Sequence, residues 1–288
     1  MPEVGATIAR CAQALRRARV VFGHGTDNAR DEAAELVFFV ARLPHALGAS
    51  VYDRPLTPAV LARIDALLAR RIKERLPLAY LTHRAFFAGL ELYVDARVLV
   101  PRSPMAELVL GRFQPWAPAR VRRVLDVGTG SGAIALACAM SFPHAKVEAF
   151  DISPPALAVC RRNIRKLKLA ERVRALRSDY LSAAKGRYDI ICSNPPYVGA
   201  AEMRRLPREY RHEPRIGLAA GQDGLDAVRA LFEGARRHLT DEGILVVEVG
   251  NTERALLRAY PKLPFIWPHI EMGGGGVFIL KARDLETR

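Results

Sequence analysis

From Val121 to the C-terminus, short apolar runs alternate with longer stretches of helical periodicity. The spacing predicts strands at Val124–Val127, Val147–Asp151, Val173–Leu176, Tyr188–Ser193, Ile244–Val249 and Val277–Lys281. Helices are predicted between them over Ala133–Phe142, Pro155–Lys168 and Leu225–Leu239. Strands joined through helices run parallel, because a tight turn cannot connect a parallel pair. The expected product is an α/β fold, a mostly parallel twisted sheet with helices on both faces. Ligands bind such sheets beyond the carboxyl ends of the strands.

The preceding residues have a different rhythm. Ala6–Val21 and Asp31–Ala41 carry apolar residues at helical spacing, and Thr57-Pro58 opens a third helix that runs to about Lys73. Between Phe86 and Val100 the period drops to two. Leu90, Leu92 and Val94 alternate with Glu91, Tyr93 and Asp95, and Val98–Val100 follows a short turn, which predicts a β-hairpin. Pro101, Pro104, Pro115 and Pro118 then punctuate a linker with a short helix. The expected organisation is a small helical domain over 1–84, a hairpin and linker over 85–120, and the α/β domain over 121–288.

Composition narrows the class. Half of the 288 residues are apolar and 26% are charged, which excludes long disorder. No run reaches the roughly 18 apolar residues of a membrane span. Arg10, Arg16, Arg17 and Arg19 interrupt any signal-peptide pattern. Cys11, Cys138, Cys160 and Cys192 are far apart, and the seven histidines lack metal-ligand spacing. The expectation is a reduced, cytoplasmic protein with no metal and no membrane contact.

Asp126-Val127-Gly128-Thr129-Gly130-Ser131-Gly132 leaves a strand and opens a helix. Its glycines permit a tight turn and let a ligand approach the backbone, and the helix N-terminus offers N–H groups. Asp126 can accept a hydrogen bond from an ammonium group. The spacing is not the dinucleotide pattern G-x-G-x-x-G. Asp151 closes the next strand, where a carboxylate can take both hydroxyls of a ribose or, more plainly, cap the following turn. Asp179 lies after the third strand and can accept from an adenine amino group, with Tyr180 packed on the ring.

Asn194-Pro195-Pro196-Tyr197 directly follows the strand Tyr188–Ser193. The prolines fix the backbone and remove two N–H donors. The Asn194 side chain and the Pro195 carbonyl can then accept from one planar NH2 group, with Tyr197 offering a flat face. This suits methylation of an amide or an exocyclic amine, whose delocalised lone pair is a poor nucleophile. Holding both hydrogens raises electron density on the nitrogen and aims its lone pair, so positioning and electrostatics carry the step.

On these residues the chain resembles the class I S-adenosylmethionine-dependent methyltransferases, and within them the HemK-like N5-glutamine methyltransferases. The resemblance spans nearly the whole chain and includes Glu209-Tyr210-Arg211-His212-Glu213-Pro214 and Gly221-Gln222-Asp223-Gly224-Leu225. It implies a Rossmann-like catalytic domain behind a helical substrate-recognition domain, with S-adenosylmethionine as cofactor. By this likeness Asp126 and the Gly128, Thr129, Gly130, Ser131, Gly132 loop hold the methionine part. Asp151 holds the ribose, and Asp179 with Tyr180 the adenine side. Asn194 and Pro195 grip the glutamine amide, with Pro196 and Tyr197 lining the pocket and Asn194 also bordering the cofactor.

Two branches of the family are known, one acting on the GGQ glutamine of release factors and one on ribosomal protein L-three of the large subunit. The linker Val100-Pro101-Arg102-Ser103-Pro104 resembles the second, where the release-factor branch reads PRPET. Glu248-Val249-Gly250-Asn251 and Gly275-Gly276-Val277-Phe278 also resemble it. The implied activity is methyl transfer to a glutamine of ribosomal protein L-three, with the release-factor reading as the alternative. An adenine-N6 nucleic-acid methyltransferase faces the same hydrogen-bonding problem, but would usually need a further domain to read and flip a base. A non-catalytic ribosome-assembly factor is opposed by the intact glycine loop and NPPY.

The formal charge is +14, and ten Lys or Arg between Arg161 and Arg187 face only Glu171 and Asp179. Such a band favours a polyanion, here ribosomal RNA in an assembly particle, by attraction and counterion release. The plainer reading is a solvated helix face.

Overall fold

The computed structural model describes residues 1–44, 48–271 and 273–286, so His45 lies outside the described residues. The chain divides into two compact units. The first comprises Met1–Ala85 with Pro207–His212, and the second Phe86–Leu206 with Glu213–Arg288. Six residues from within the 121–288 span thus belong to the first unit.

The first unit is helical: α1 (Val4–Arg17), α2 (Ala29–Ala41), α3 (Pro58–Glu74) and α4 (Leu78–Thr82). The Asn28 side chain caps α2 by accepting from the N–H groups of Arg30 and Asp31, and Thr57 caps α3 through Val60. Ile8, Leu15, Leu36, Val37, Ile64 and Leu68 form the core. The predicted first helix overshoots. α1 stops at Arg17, Arg19 turns left-handed at φ +51°, and the Val20 N–H returns to the Leu15 carbonyl. Arg71 is 1% exposed and pairs with buried Glu32 at 2.7 Å. The inserted segment brings Glu209, which accepts from the Val21 N–H at 3.1 Å and pairs with Arg75 at 3.3 Å. Removing one partner of such a buried pair would leave an uncompensated charge in the core.

The hairpin is shorter than its sequence suggests, with β1 (Ala85–Phe87) and β2 (Leu90–Leu92) joined by Ala88-Gly89, both at positive φ. Val94 and Val98–Val100 are not strand residues. The strand ends at Leu92 because the Tyr93 N–H and carbonyl bond to the Asn163 side chain. The linker carries α5 (Met105–Leu110).

The sheet is built from β3 (Arg123–Val127), β4 (Lys146–Asp151), β5 (Val173–Arg177), β6 (Tyr188–Ser193), β7 (Leu239–Glu248) and β8 (Val277–Lys281). Their spatial order is β5-β4-β3-β6-β7-β8, parallel except for β8. Helices α6 (Ala133–Ser141) and α7 (Pro154–Lys166) pack with α5 against Val124, Val147, Ile190, Ile244 and Ile279. After the short α8 (Ala200–Met203), helices α9 (Asp226–His238) and α10 (Glu253–Ala259) cover Leu125, Ile191, Leu245 and Val247 on the other face. Both faces of the sheet are thereby buried, as the near-continuous apolar strands require. Among the described residues no helix is long and apolar enough to cross a membrane.

Candidate active site

The strand order reverses at β3 and β6, and their register sets Val127 against Ser193. The glycine loop and the Asn194–Tyr197 segment therefore leave the sheet side by side at its carboxyl edge. Ser193 Oγ donates to the Val127 carbonyl at 2.6 Å and ties the two exits together.

Asp126 is 1% exposed. Its Oδ2 accepts from the Thr129 hydroxyl at 2.6 Å and from the Ala135 N–H at 3.1 Å. Its Oδ1 is buried with no hydrogen-bond partner among the described residues. Burial pushes the carboxyl up to about 7, against the opposing pull of those two hydrogen bonds. A buried carboxylate oxygen left without a donor fits a cationic ligand such as an ammonium group. Beside it, a Cβ built at Gly128 or Gly130 meets nothing within 4 Å, so the loop faces open space.

Asp151 clamps this loop. Its Oδ2 accepts from the Gly130 N–H at 2.8 Å and its Oδ1 from the Ser153 N–H at 2.9 Å. Burial raises this carboxyl too, with both backbone bonds opposing. Each oxygen keeps acceptor capacity for a hydroxyl. Ser131 is buried, and its carbonyl accepts from Asn163 Nδ2 at 2.9 Å. Asp179 is exposed beyond the edge strand β5, and Tyr180 beside it is half-buried at φ +43°.

Asn194 is half-buried and Pro195 buried. Among the described residues the Asn194 amide and the Pro195 carbonyl have no hydrogen-bond partner, which leaves both acceptors available. The chain beyond is laced down by bonds from the Val198 N–H to the Leu218 carbonyl and from the Ala220 N–H to the Val198 carbonyl. The Tyr197 hydroxyl donates to Glu248 Oε1 at 3.1 Å. The ring lies against Gly250 (φ +46°), where a Cβ would come within 2.6 Å of Tyr197 Cε2.

The family-like stretches of the sequence include Ser103, Glu213 and Glu248 but give no role to them or to Asn163. Asn163, Ser103, Glu213 and Glu248 are all buried polar residues. Glu213 takes the Arg102 guanidinium at 2.6 and 2.7 Å and the Val100 N–H at 3.1 Å. Glu248 closes the apolar run Ile244–Val247, and a carboxylate in that position was the available signal. Among the described residues no group of three or more His, Cys, Asp or Glu could hold a metal ion.

A family model described as the methyltransferase small domain matches residues 106–206, and one described as the PrmC N-terminal domain matches residues 13–82. A Xanthomonas campestris pv. campestris protein named ribosomal protein uL3 glutamine methyltransferase is 46% identical over 273 residues, covering 94% of this chain and 88% of its own. A Xylella fastidiosa protein of the same name is 45% identical over 276 residues, covering 95% and 88%. This chain belongs to that glutamine methyltransferase family. It is a methyltransferase of the class I, Rossmann-like fold. A T. thermophilus 16S rRNA N2 methyltransferase, solved with AdoMet and guanosine, shares the fold at a TM-score of 0.50 and 21% identity, over 69% of this chain and 49% of that one.

Proposed function

We propose that this chain moves a methyl group from S-adenosylmethionine to the side-chain amide nitrogen of a glutamine in ribosomal protein uL3. The protein substrate follows from the name of the two relatives, which match almost the full length of the chain. The chemistry rests on one observation: the unpartnered acceptors of Asn194 and Pro195 and the orphaned Asp126 oxygen stand at the ends of adjacent, in-register strands.

When bound, S-adenosylmethionine supplies an electrophilic methyl group on a sulfonium centre and is left as a neutral thioether. Asp126 would pair with its ammonium, the Gly128–Gly132 loop would hold its methionine part, Asp151 would take the ribose hydroxyls, and Asp179 with Tyr180 would border the adenine. Asn194 Oδ1 and the Pro195 carbonyl accept the two amide N–H bonds, which draws electron density onto nitrogen and turns its lone pair outward. Pro196 and Tyr197 wall the pocket against rotation of the amide. The nitrogen held in this way would be the nucleophile for the methyl group that the cofactor supplies, and its surplus proton would pass to water.

We assign the helical first unit to substrate recognition, and a ribosomal-protein substrate supports a cytoplasmic location. Contact with ribosomal RNA has narrower support than the bare charge count suggested. Arg161 bonds to the Ala175 carbonyl, Arg172 bonds to the Ala139, Phe142 and Ala145 carbonyls, Lys166 pairs with Glu91, Arg187 pairs with Asp241, and Arg162 stacks on Tyr93. Arg165, Lys168, Arg174, Arg177 and Lys185 remain as exposed charges for RNA. Mass spectrometry of large-subunit proteins from cells with and without the gene tests the function. A methylated glutamine in uL3 is expected only when the gene is present, and identical spectra would refute it.

A further inference from the structure

The buried carboxylate of Glu248 stands between two segments that are distant in sequence. One oxygen accepts from the Tyr197 hydroxyl at 3.1 Å and the other from the Ser103 hydroxyl at 2.5 Å. Ser103 Oγ in turn accepts from the Met105 N–H at 3.1 Å and so fixes the start of α5. One and three residues earlier the same linker is pinned a second time, by Glu213 on Arg102 and on the Val100 N–H. Glu248 is the last residue of β7, next to β6, and Gly250 just beyond it underlies the Tyr197 ring. Tyr197 is therefore held by its hydroxyl and by its face, from one strand end and the turn that follows.

We propose that Glu248 is a positioning residue for the proposed glutamine site: it sets the angle of the Tyr197 ring and couples that ring, through Ser103, to the linker between the hairpin and α5. The inference rests on the function proposed above. A phenolic hydroxyl on a rigid ring fixes the ring plane when its acceptor is itself immobile, and a carboxylate with both oxygens engaged has little freedom. Stabilisation of the reacting amide depends on such fixed geometry. The effect should fall on the peptide substrate and leave the cofactor loop untouched, because among the described residues the Glu248 carboxylate is hydrogen-bonded to Ser103 and Tyr197 and not to Asp126 or the Gly128–Gly132 segment.

The test is a double-mutant cycle with Glu248→Gln, Tyr197→Phe and the two combined, supported by Ser103→Ala. Gln preserves the size of the side chain and can still bond to one hydroxyl as acceptor, so the fold is kept. Each single substitution is expected to lower kcat/KM for uL3 by about tenfold, the usual consequence of disturbing one buried hydrogen bond. The S-adenosylmethionine Kd should stay within twofold. Because Glu248 acts through the Tyr197 hydroxyl, the double variant should be no slower than Tyr197→Phe alone. Effects that multiply, a Glu248→Gln enzyme with full activity, or equal losses in cofactor Kd would overturn the proposal. A second readout needs no substrate. With fluorotyrosine incorporated, the Tyr197 resonance, assigned by its loss in Tyr197→Phe, should shift in Glu248→Gln and Ser103→Ala. An unmoved resonance would overturn the positioning role, whereas a wild-type enzyme inactive on uL3 with a shifted resonance would overturn only the function.

Discussion

Asn163 and Tyr93 are joined by a reciprocal pair of hydrogen bonds, from the Tyr93 N–H to Oδ1 at 2.8 Å and from Nδ2 to the Tyr93 carbonyl at 2.9 Å. Nδ2 also donates to the Ser131 carbonyl at 2.9 Å, so one fully buried amide ties the end of the hairpin to the glycine loop. Asn163→Ala should destabilise the enzyme by about 3 kcal/mol, since each abandoned buried group costs on the order of 1 kcal/mol or more. Asn163→Asp should be no better, because it turns an acceptor toward two carbonyls. Thermal unfolding measures the first effect and calorimetry with S-adenosylmethionine the accompanying loss of affinity. An unchanged Tm would show that the tie contributes nothing.

Asp126 predicts a pH dependence. Its carboxyl is raised to about 7 in the fold by burial, above its ordinary 3.8. Between those values the folded state holds a proton that the unfolded state has released, so this group's contribution to stability falls as pH rises from about 4 to 7. Asp126→Asn should abolish that contribution. A cationic ligand favours the carboxylate, so S-adenosylmethionine should bind more tightly at pH 7 than at pH 6. 5′-Methylthioadenosine, which lacks the ammonium, should show no such gain. Parallel pH profiles for both ligands would remove Asp126 from the ammonium site.

These two residues also show what the sequence revealed. Asp126 was legible because a strand, an acid and a glycine loop follow one another within a few residues. Asn163 was not, because its partners are 70 and 32 positions away. The hairpin failed for the same reason: alternation through Val94 suggested a longer strand, but Asn163 takes the Tyr93 backbone that would have continued the ladder. The α1 overshoot arose from Val20, which is buried through a turn and not through helical period. Nor could local pattern assign Pro207–His212 to the first unit, since Glu209 meets Val21 across 188 positions.

Asp151 holds the Gly130 N–H and, by proposal, the ribose. Asp151→Ala should raise the KM for S-adenosylmethionine by about tenfold or more while kcat falls less, the pattern of an interaction shared by ground and transition states. Steady-state kinetics at saturating uL3 checks this, and an unchanged KM would take Asp151 off the ribose.

The exposed basic residues of the edge strand give a prediction about the form of the substrate. If Arg174 and Arg177 meet ribosomal RNA, an early assembly particle should be methylated faster than free uL3. The advantage should shrink with salt, by about 0.9 in the log–log slope per neutralised duplex phosphate. Arg174→Glu with Arg177→Glu should flatten that slope and leave free uL3 methylation unchanged. Equal rates on both substrates with a flat salt series would discard RNA docking and spare the glutamine assignment.

The most direct test of the central claim is tandem mass spectrometry of purified uL3 after incubation with this enzyme and S-adenosylmethionine, beside an Asn194→Ala control. One added methyl on a glutamine side-chain amide is expected. In the control that mark should be lost by about a hundredfold or more, since a preorganised acceptor at the reacting group is removed, while calorimetry shows cofactor affinity nearly unchanged. A methyl on another residue type, no methyl on uL3, or normal methylation by Asn194→Ala would contradict it.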